Sequence, residues 1–304
     1  MAWLCVLMVV SAEPIPSDAF YSLPEIVTSK GYPSETHHAI TKDGYNLTLF
    51  RIPYGIAGPS SGTPRPPVIL QHGLLDFSFT WILNMPNQSL SYVLADAGFD
   101  VWMPNNRGNK ESRLPNANLN SSTPEDREWW QFSWDQMALY DVPGVIGYVT
   151  SLTGFSKVSY IGHSEGSLQM FAALVALPEV ADLVSSFQAF GPVAYANHLE
   201  QTTFRKLAED YADVLYDAVD GKLFAPLPDW IHEVGAEFCA VDPFACDSVI
   251  EWICGPHKGA FNNSRMPVVG AQEPGGTSAL NMVHWGCVYS ILSFSFSYFF
   301  SFSS

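Results

Sequence analysis

Up to Pro192 the chain alternates short apolar runs closed by turn residues with longer stretches of helical spacing. Residues 13–33 are dotted with prolines and read as extended. In 36–53, two strand-like runs flank Asp43-Gly44, a strong hairpin dipeptide. The run 67–71 ends at His72-Gly73 and reads as a buried parallel strand. A helix over 89–97 stops at Gly98, and 99–103 is a second buried strand. Met137, Leu139, Val142, Val145, Ile146 and Val149 recur at helical spacing within 135–151. A third strand over 157–161, an apolar helix over 167–177 and a fourth strand over 186–190 follow. This alternation predicts an α/β fold with a parallel sheet.

Beyond Pro192 the rhythm stops. Residues 193–285 offer apolar helical stretches but no clear strand, and read as a helical lid on a core spanning 33–192. Residues 286–304 are a Phe/Ser alternation without charge, expected to be a non-native tail rather than a membrane span.

Composition narrows the function classes. Thirty acidic against 14 basic residues give a net charge of −16, which sets nucleic acid aside as a partner. Residues 1–12 are an apolar run ending in Ser11-Ala12 and read as a secretory signal. Sequons at Asn46, Asn87, Asn120 and Asn262 agree with passage through the secretory pathway. Cys5 would leave with the signal. Cys239, Cys246, Cys254 and Cys287 then allow three full pairings, and the closeness of Cys239 to Cys246 suits a small loop-closing disulfide. With no Cys-x2-Cys pair, no metal site is expected.

The chemistry concentrates at Gly162-His163-Ser164-Glu165-Gly166, between a strand and a helix. Terminal glycines permit a sharp turn that lifts Ser164 Oγ above the sheet, over a helix N-terminus that favours developing negative charge. Ser164 is therefore the candidate nucleophile. The backbone N–H groups of Leu74 and Glu165 are the candidate oxyanion donors, with His72 shaping the loop before Leu74. Serine hydrolysis needs only amino-acid groups and water, so no cofactor is implied.

Several stretches make the match more specific: Thr41-Lys-Asp-Gly-Tyr45, Arg51-Ile-Pro-Tyr-Gly55, Leu70-Gln-His-Gly-Leu-Leu75, Leu94 to Trp102, Asn106-Arg-Gly-Asn109, Phe132-Ser-Trp-Asp135, Tyr140-Asp-Val-Pro143, Ile253-Cys-Gly255, Gly276-Thr-Ser278, Asn281-Met282 and His284-Trp285. In this order the chain resembles the acid lipase family. The resemblance implies an α/β-hydrolase with a lid, hydrolysing triacylglycerols or sterol esters at a lipid surface, secreted or lysosomal. It also implies a Cys239–Cys246 disulfide with Cys254 free.

Two departures stand out. The residue after the nucleophile, usually Gln in the family, is Glu165 here; its carboxyl is expected to be protonated or to point away from the oxyanion. The triad Asp and His also find no place in this chain. After Ser164 the histidines are His198, His232, His257 and His284, all in the lid region. The expectation is an ester hydrolase impaired for want of its acid and base, on a sheet lacking its last strands. The alternative is a lipid-binding homologue without turnover, or a truncated gene product.

Overall fold

A computed structural model describes residues 14–59, 64–117, 122–194, 214, 216–224, 229–255, 259 and 261–291. The expected signal at 1–12, the sequon at Asn120, His198, His257 and the tail beyond 291 lie outside the described residues.

Six strands form one sheet: β1 (Glu35–Ile40), β2 (Asn46–Ile52), β3 (Pro67–Gln71), β4 (Asp100–Pro104), β5 (Val158–His163) and β6 (Val184–Phe190). Their spatial order is β1-β2-β4-β3-β5-β6. β1 and β2 are an antiparallel hairpin, β2 meets β4 antiparallel, and the pairings from β4 through β3 and β5 to β6 are parallel. The hairpin turns at Gly44, with φ +96°, while Thr41 and Tyr45 close it through their backbones.

Period-two alternation divides the strand residues between two cores. Leu47, Leu49, Ile69, Trp102 and Tyr160 face one cluster, which is completed by α3 (Val142–Thr153) and α4 (Glu165–Ala176). Phe50, Ile52, Val68, Leu70, Val101, Met103 and Ile161 face the other, with α1 (Leu23–Ser29) and α2 (Leu90–Asp96). Because both faces are covered, β3 and β4 are buried throughout. β6 is the outermost strand among the described residues, and its side chains are half-buried or exposed.

Among the described residues after β6, four helices stand out: α5 (Asp229–Val241), α6 (Pro243–Cys254), α7 (Met266–Gln272) and α8 (Ala279–Ile291). Cys239 on α5 and Cys246 on α6 form a disulfide. Ala236, Val268 and Ala271 join the second core, and Trp285 joins the first.

Three elements depart from the sequence reading. Residues 13–33 are not extended throughout, because α1 forms with Pro24 in its first turn, where a missing N–H costs nothing. Glu25 accepts from the Ser22 N–H at 2.8 Å, completing a capping box. The helix predicted over 135–151 contains a π turn at Met137–Asp141, just before Pro143, which cannot donate to the helical ladder. The supposedly strand-free region contains β7 (Leu223–Phe224), antiparallel to β8 (Thr277–Ser278). Two-residue strands leave no periodicity to detect.

Candidate active site

β5 ends at His163 and α4 begins at Glu165, so a single residue makes the change of direction. Ser164 makes it at φ +51° and ψ −117°. Such a backbone costs a non-glycine residue about 1–3 kcal/mol and persists only where its surroundings enforce it. They do so through three close approaches. A Cβ on Gly162 would lie 2.6 Å from the Gly166 carbonyl oxygen, and one on Gly166 2.6 Å from that of His72. One on Gly73 would lie 3.1 Å from Ser164 Cβ. The Ser164 N–H donates to the Phe190 carbonyl at 2.9 Å. Its own carbonyl accepts from the N–H groups of Ser167 and Leu168. Ser164 is thereby held, half-buried, at the carboxyl end of the sheet over the N-terminus of α4.

His72 is buried and shapes the facing loop. Its Nε2 accepts from the Asn106 N–H at 3.0 Å and faces Asn109 Nδ2 at 3.1 Å. The proton therefore sits on Nδ1, which donates to the Gly73 carbonyl at 2.9 Å. Burial pulls its pKa down to about 4. His72 is accordingly expected to show no titration between about pH 5 and 8; an NMR midpoint near the free-imidazole value would overturn this assignment. Gly73 lies against Ser164, and the N–H groups of Leu74 and Glu165 have no protein acceptor among the described residues.

The Glu165 side chain turns away from this opening into a buried polar nest. Its Oε2 accepts from Asn281 Nδ2 at 2.9 Å and Trp285 Nε1 at 2.5 Å, and its Oε1 from Gln169 Nε2 at 3.3 Å. Burial raises its pKa, against which the three donors act. Asn281 also accepts from the Trp134 N–H, so α8 is tied to the elbow and to the 132–136 segment together. The role of Asn281 and Trp285 was invisible in the sequence. Their only signal was the Asn-Met-x-His-Trp spacing, which puts Asn281 and Trp285 one helical turn apart.

Of the histidines after Ser164, His232 and His284 lie among the described residues. His284 stacks on Trp134 at 4.5 Å, with Nδ1 2.9 Å from Ser133 Oγ. His232 lies on α5 beside a shallow depression with Lys110 and Gln272. Among the described residues no histidine is hydrogen-bonded to Ser164 Oγ. Nor, among them, does any group of three His, Cys, Asp or Glu side chains form a metal site. No described helix is long and apolar enough to cross a membrane. Of the sequons, Asn87 is exposed and Asn46 half-buried on β2, while Asn262 Nδ2 donates to Gln88 Oε1 at 3.0 Å.

Residues 23–85 match the partial alpha/beta-hydrolase lipase region, and 66–227 the alpha/beta hydrolase fold. The chain is 37% identical to the mouse (Mus musculus) gastric triacylglycerol lipase over 90% of its own length and 68% of the relative's. It is 39% identical to the human (Homo sapiens) lysosomal acid lipase/cholesteryl ester hydrolase, over 87% and 65%. The chain belongs to the acid lipase family. It is an α/β-hydrolase, in a family of carboxylic ester hydrolases. It spans about two thirds of the length of these lipases. Among solved structures, a thermophilic esterase from Thermogutta terrifontis aligns over 82% of this chain and 72% of that one, with 18% identity and a TM-score of 0.40.

Proposed function

We propose that the chain carries the nucleophile and oxyanion half of a neutral-lipid ester hydrolase. In this reading Ser164 Oγ attacks the ester carbonyl, and the N–H groups of Leu74 and Glu165 receive the resulting oxyanion. The observation that carries it is the enforced backbone of Ser164, wedged between Gly162, Gly166 and Gly73. A merely structural serine would not need a strained turn held by three such close approaches.

Triacylglycerols or sterol esters are the proposed substrates, in keeping with the names of the lipases above. Residues 193–285 act as the lid. In α5, Trp230, Val234, Phe238 and Val241 are exposed at helical spacing, which suits contact with a lipid interface. The high negative charge favours a neutral over an anionic lipid surface. We assign the protein to the secretory pathway, and among the described sequons the exposed Asn87 is best placed to carry a glycan.

Turnover is expected to be low, because no histidine among the described residues stands ready to take the Ser164 proton. An oxyanion hole and binding without a complete triad still give rates about 10³–10⁴ above water. A fluorogenic fatty-acyl ester at about pH 5, assayed beside Ser164→Ala, tests this. A slow rate that disappears in Ser164→Ala is the expected result; equal rates would overturn the nucleophile. Binding of lipid vesicles without any cleavage would favour the lipid-binding alternative.

A further inference from the structure

The turn that carries the Leu74 N–H is held in an unfavourable shape from outside. The Asp76 N–H donates to the Gly73 carbonyl at 3.4 Å, which closes a four-residue turn with Leu75 in its third position. Leu75 stands there at φ +61°. A positive φ at this position belongs to type II turns and favours glycine, because a Cβ crowds the following carbonyl oxygen. Left to itself, leucine would return to negative φ, and the Leu74–Leu75 peptide would flip as the turn passed from type II to type I. We propose that Arg113 is a positioning residue for this turn: acting through the Gly275–Gly276 peptide, it keeps Leu75 left-handed and so keeps the adjoining Leu74 N–H in place. The clamp stands by itself; its consequence for ester cleavage rests on the oxyanion role proposed for Leu74.

The contacts form a continuous chain. The Leu75 carbonyl accepts from the Gly275 N–H at 2.7 Å and the Gly276 N–H at 3.3 Å, so both its lone pairs are engaged from one side. Gly275 and Gly276 are buried. The Gly275 carbonyl in turn accepts from the Lys110 N–H at 2.9 Å and from Arg113 Nη2 at 3.0 Å. Arg113 is also fixed at Nε, which donates to the Gly108 carbonyl at 3.2 Å. The carbonyl that takes Arg113 and the Gly276 N–H that gives to Leu75 belong to one planar peptide, so a charged donor at one end strengthens the bond at the other. Gly276 is itself left-handed, at φ +83°, and a Cβ there would lie 2.9 Å from Arg113 Nη2. A side chain at Gly276 would push the guanidinium off the carbonyl that it holds.

The neighbouring polar contacts act elsewhere on the same loop. Lys110 Nζ donates to the Gln272 carbonyl and to Gln272 Oε1, at 2.7 and 3.1 Å, and so fixes the start of the facing segment. His72 Nδ1 holds the Gly73 carbonyl, and Asn105 Oδ1 accepts from the Ser78 N–H at 3.0 Å. Those bonds fix the ends of the 72–78 loop. The two on the Leu75 carbonyl act on the strained residue itself.

The test pairs Arg113→Met with Leu75→Gly in the full chain. Glycine adopts the left-handed turn without the Cβ clash, so the turn then depends less on the clamp. Covalent labelling of Ser164 by a fluorophosphonate reports on the opening. Arg113→Met should label about tenfold more slowly than the unmodified protein, a smaller loss than a displacement of about 1 Å would bring. In the Leu75→Gly background the same substitution should cost no more than about twofold. An unchanged rate in Arg113→Met, or an equal loss in both backgrounds, would overturn the positioning role.

Amide hydrogen exchange at Gly275 and Gly276 reads the clamp without any chemistry at Ser164. Arg113→Met should speed it several-fold relative to the amides of β4, and Leu75→Gly should restore most of the protection. Unchanged exchange at the two glycines would overturn the clamp. Where Arg113→Met does not fold, Arg113→Lys takes its place in both comparisons. It keeps the charge but cannot serve the Gly108 and Gly275 carbonyls together, and should show the same pattern at smaller size. If Ser164 labels in none of the proteins, the hydrolase reading fails, and the exchange comparison still decides the clamp.

Discussion

Replacing Arg107 with alanine should cost about 3–5 kcal/mol of folding stability, read as the shift in a urea unfolding midpoint at unchanged slope. Arg107 is 1% exposed, yet its guanidinium is fully engaged. Nε and Nη2 donate to Asp141 Oδ1 at 2.8 and 2.6 Å, and Nη1 and Nη2 to Asp43 at 2.7 and 2.9 Å. Its carbon centre lies 3.9 Å from the Tyr45 ring centroid. Alanine would leave the buried Asp141 with only the Arg107 backbone N–H, at 3.2 Å. Burial already raises the Asp141 pKa, and loss of the guanidinium would raise it further. The variant should therefore lose most near neutral pH and recover as acid protonates Asp141. Arg107→Lys should recover only part, because an ammonium cannot fork between two carboxylates. Arg127 provides the control. It is half exposed, and its contact with Asp220 is 4.0 Å, so its removal should leave the midpoint unchanged.

Arg107 also marks how far the sequence could be read. It appeared there only within a family stretch, because its partners lie 64 and 34 residues away. The elbow was legible because strand, turn and helix are contiguous, and their signals of apolar run, glycine pair and apolar helix are local. The α/β alternation was legible for the same reason: strands covered on both faces read as unbroken apolar runs. What stayed hidden is held by long-range polar contacts. The Glu165–Trp285 bond spans 120 residues and the Arg265–Asp18 ion pair 247, and neither leaves a period in the sequence. Glu165 is instructive in this respect. The residue reads as a possible electrostatic conflict with an oxyanion. The fold resolves it by turning the carboxyl toward Asn281 and Trp285, while its backbone stays at the opening. The helix α1 differs in kind: its Ser22-x-x-Glu25 cap is a local signal, and the proline that suggests an extended segment, Pro24, falls in its first turn, where it is tolerated.

Gly166→Ala should be strongly damaging, although helix propensity alone predicts the reverse. Gly166 lies in the first turn of α4, and alanine is preferred to glycine inside a helix by about 0.8–1.0 kcal/mol. Against this stands the packing. The new Cβ would lie 2.6 and 2.7 Å from the carbonyl oxygens of His72 and Gln71, neither of which can rotate away as a side chain could. The helix would have to retreat from the end of β3, at a cost of about 1–3 kcal/mol or more. That retreat carries Ser164 away from the Leu74 N–H, and a misplacement of about 1 Å is worth about 10²-fold in rate. Labelling of Ser164 should therefore suffer more than stability. Gly147 in α3 separates the two effects: it is exposed, and a Cβ there meets nothing within 4 Å. Gly147→Ala should stabilise by up to about 1 kcal/mol with labelling unchanged. If Gly166→Ala also melted higher and labelled normally, the close approach of α4 to β3 could not be what holds the elbow in its strained form.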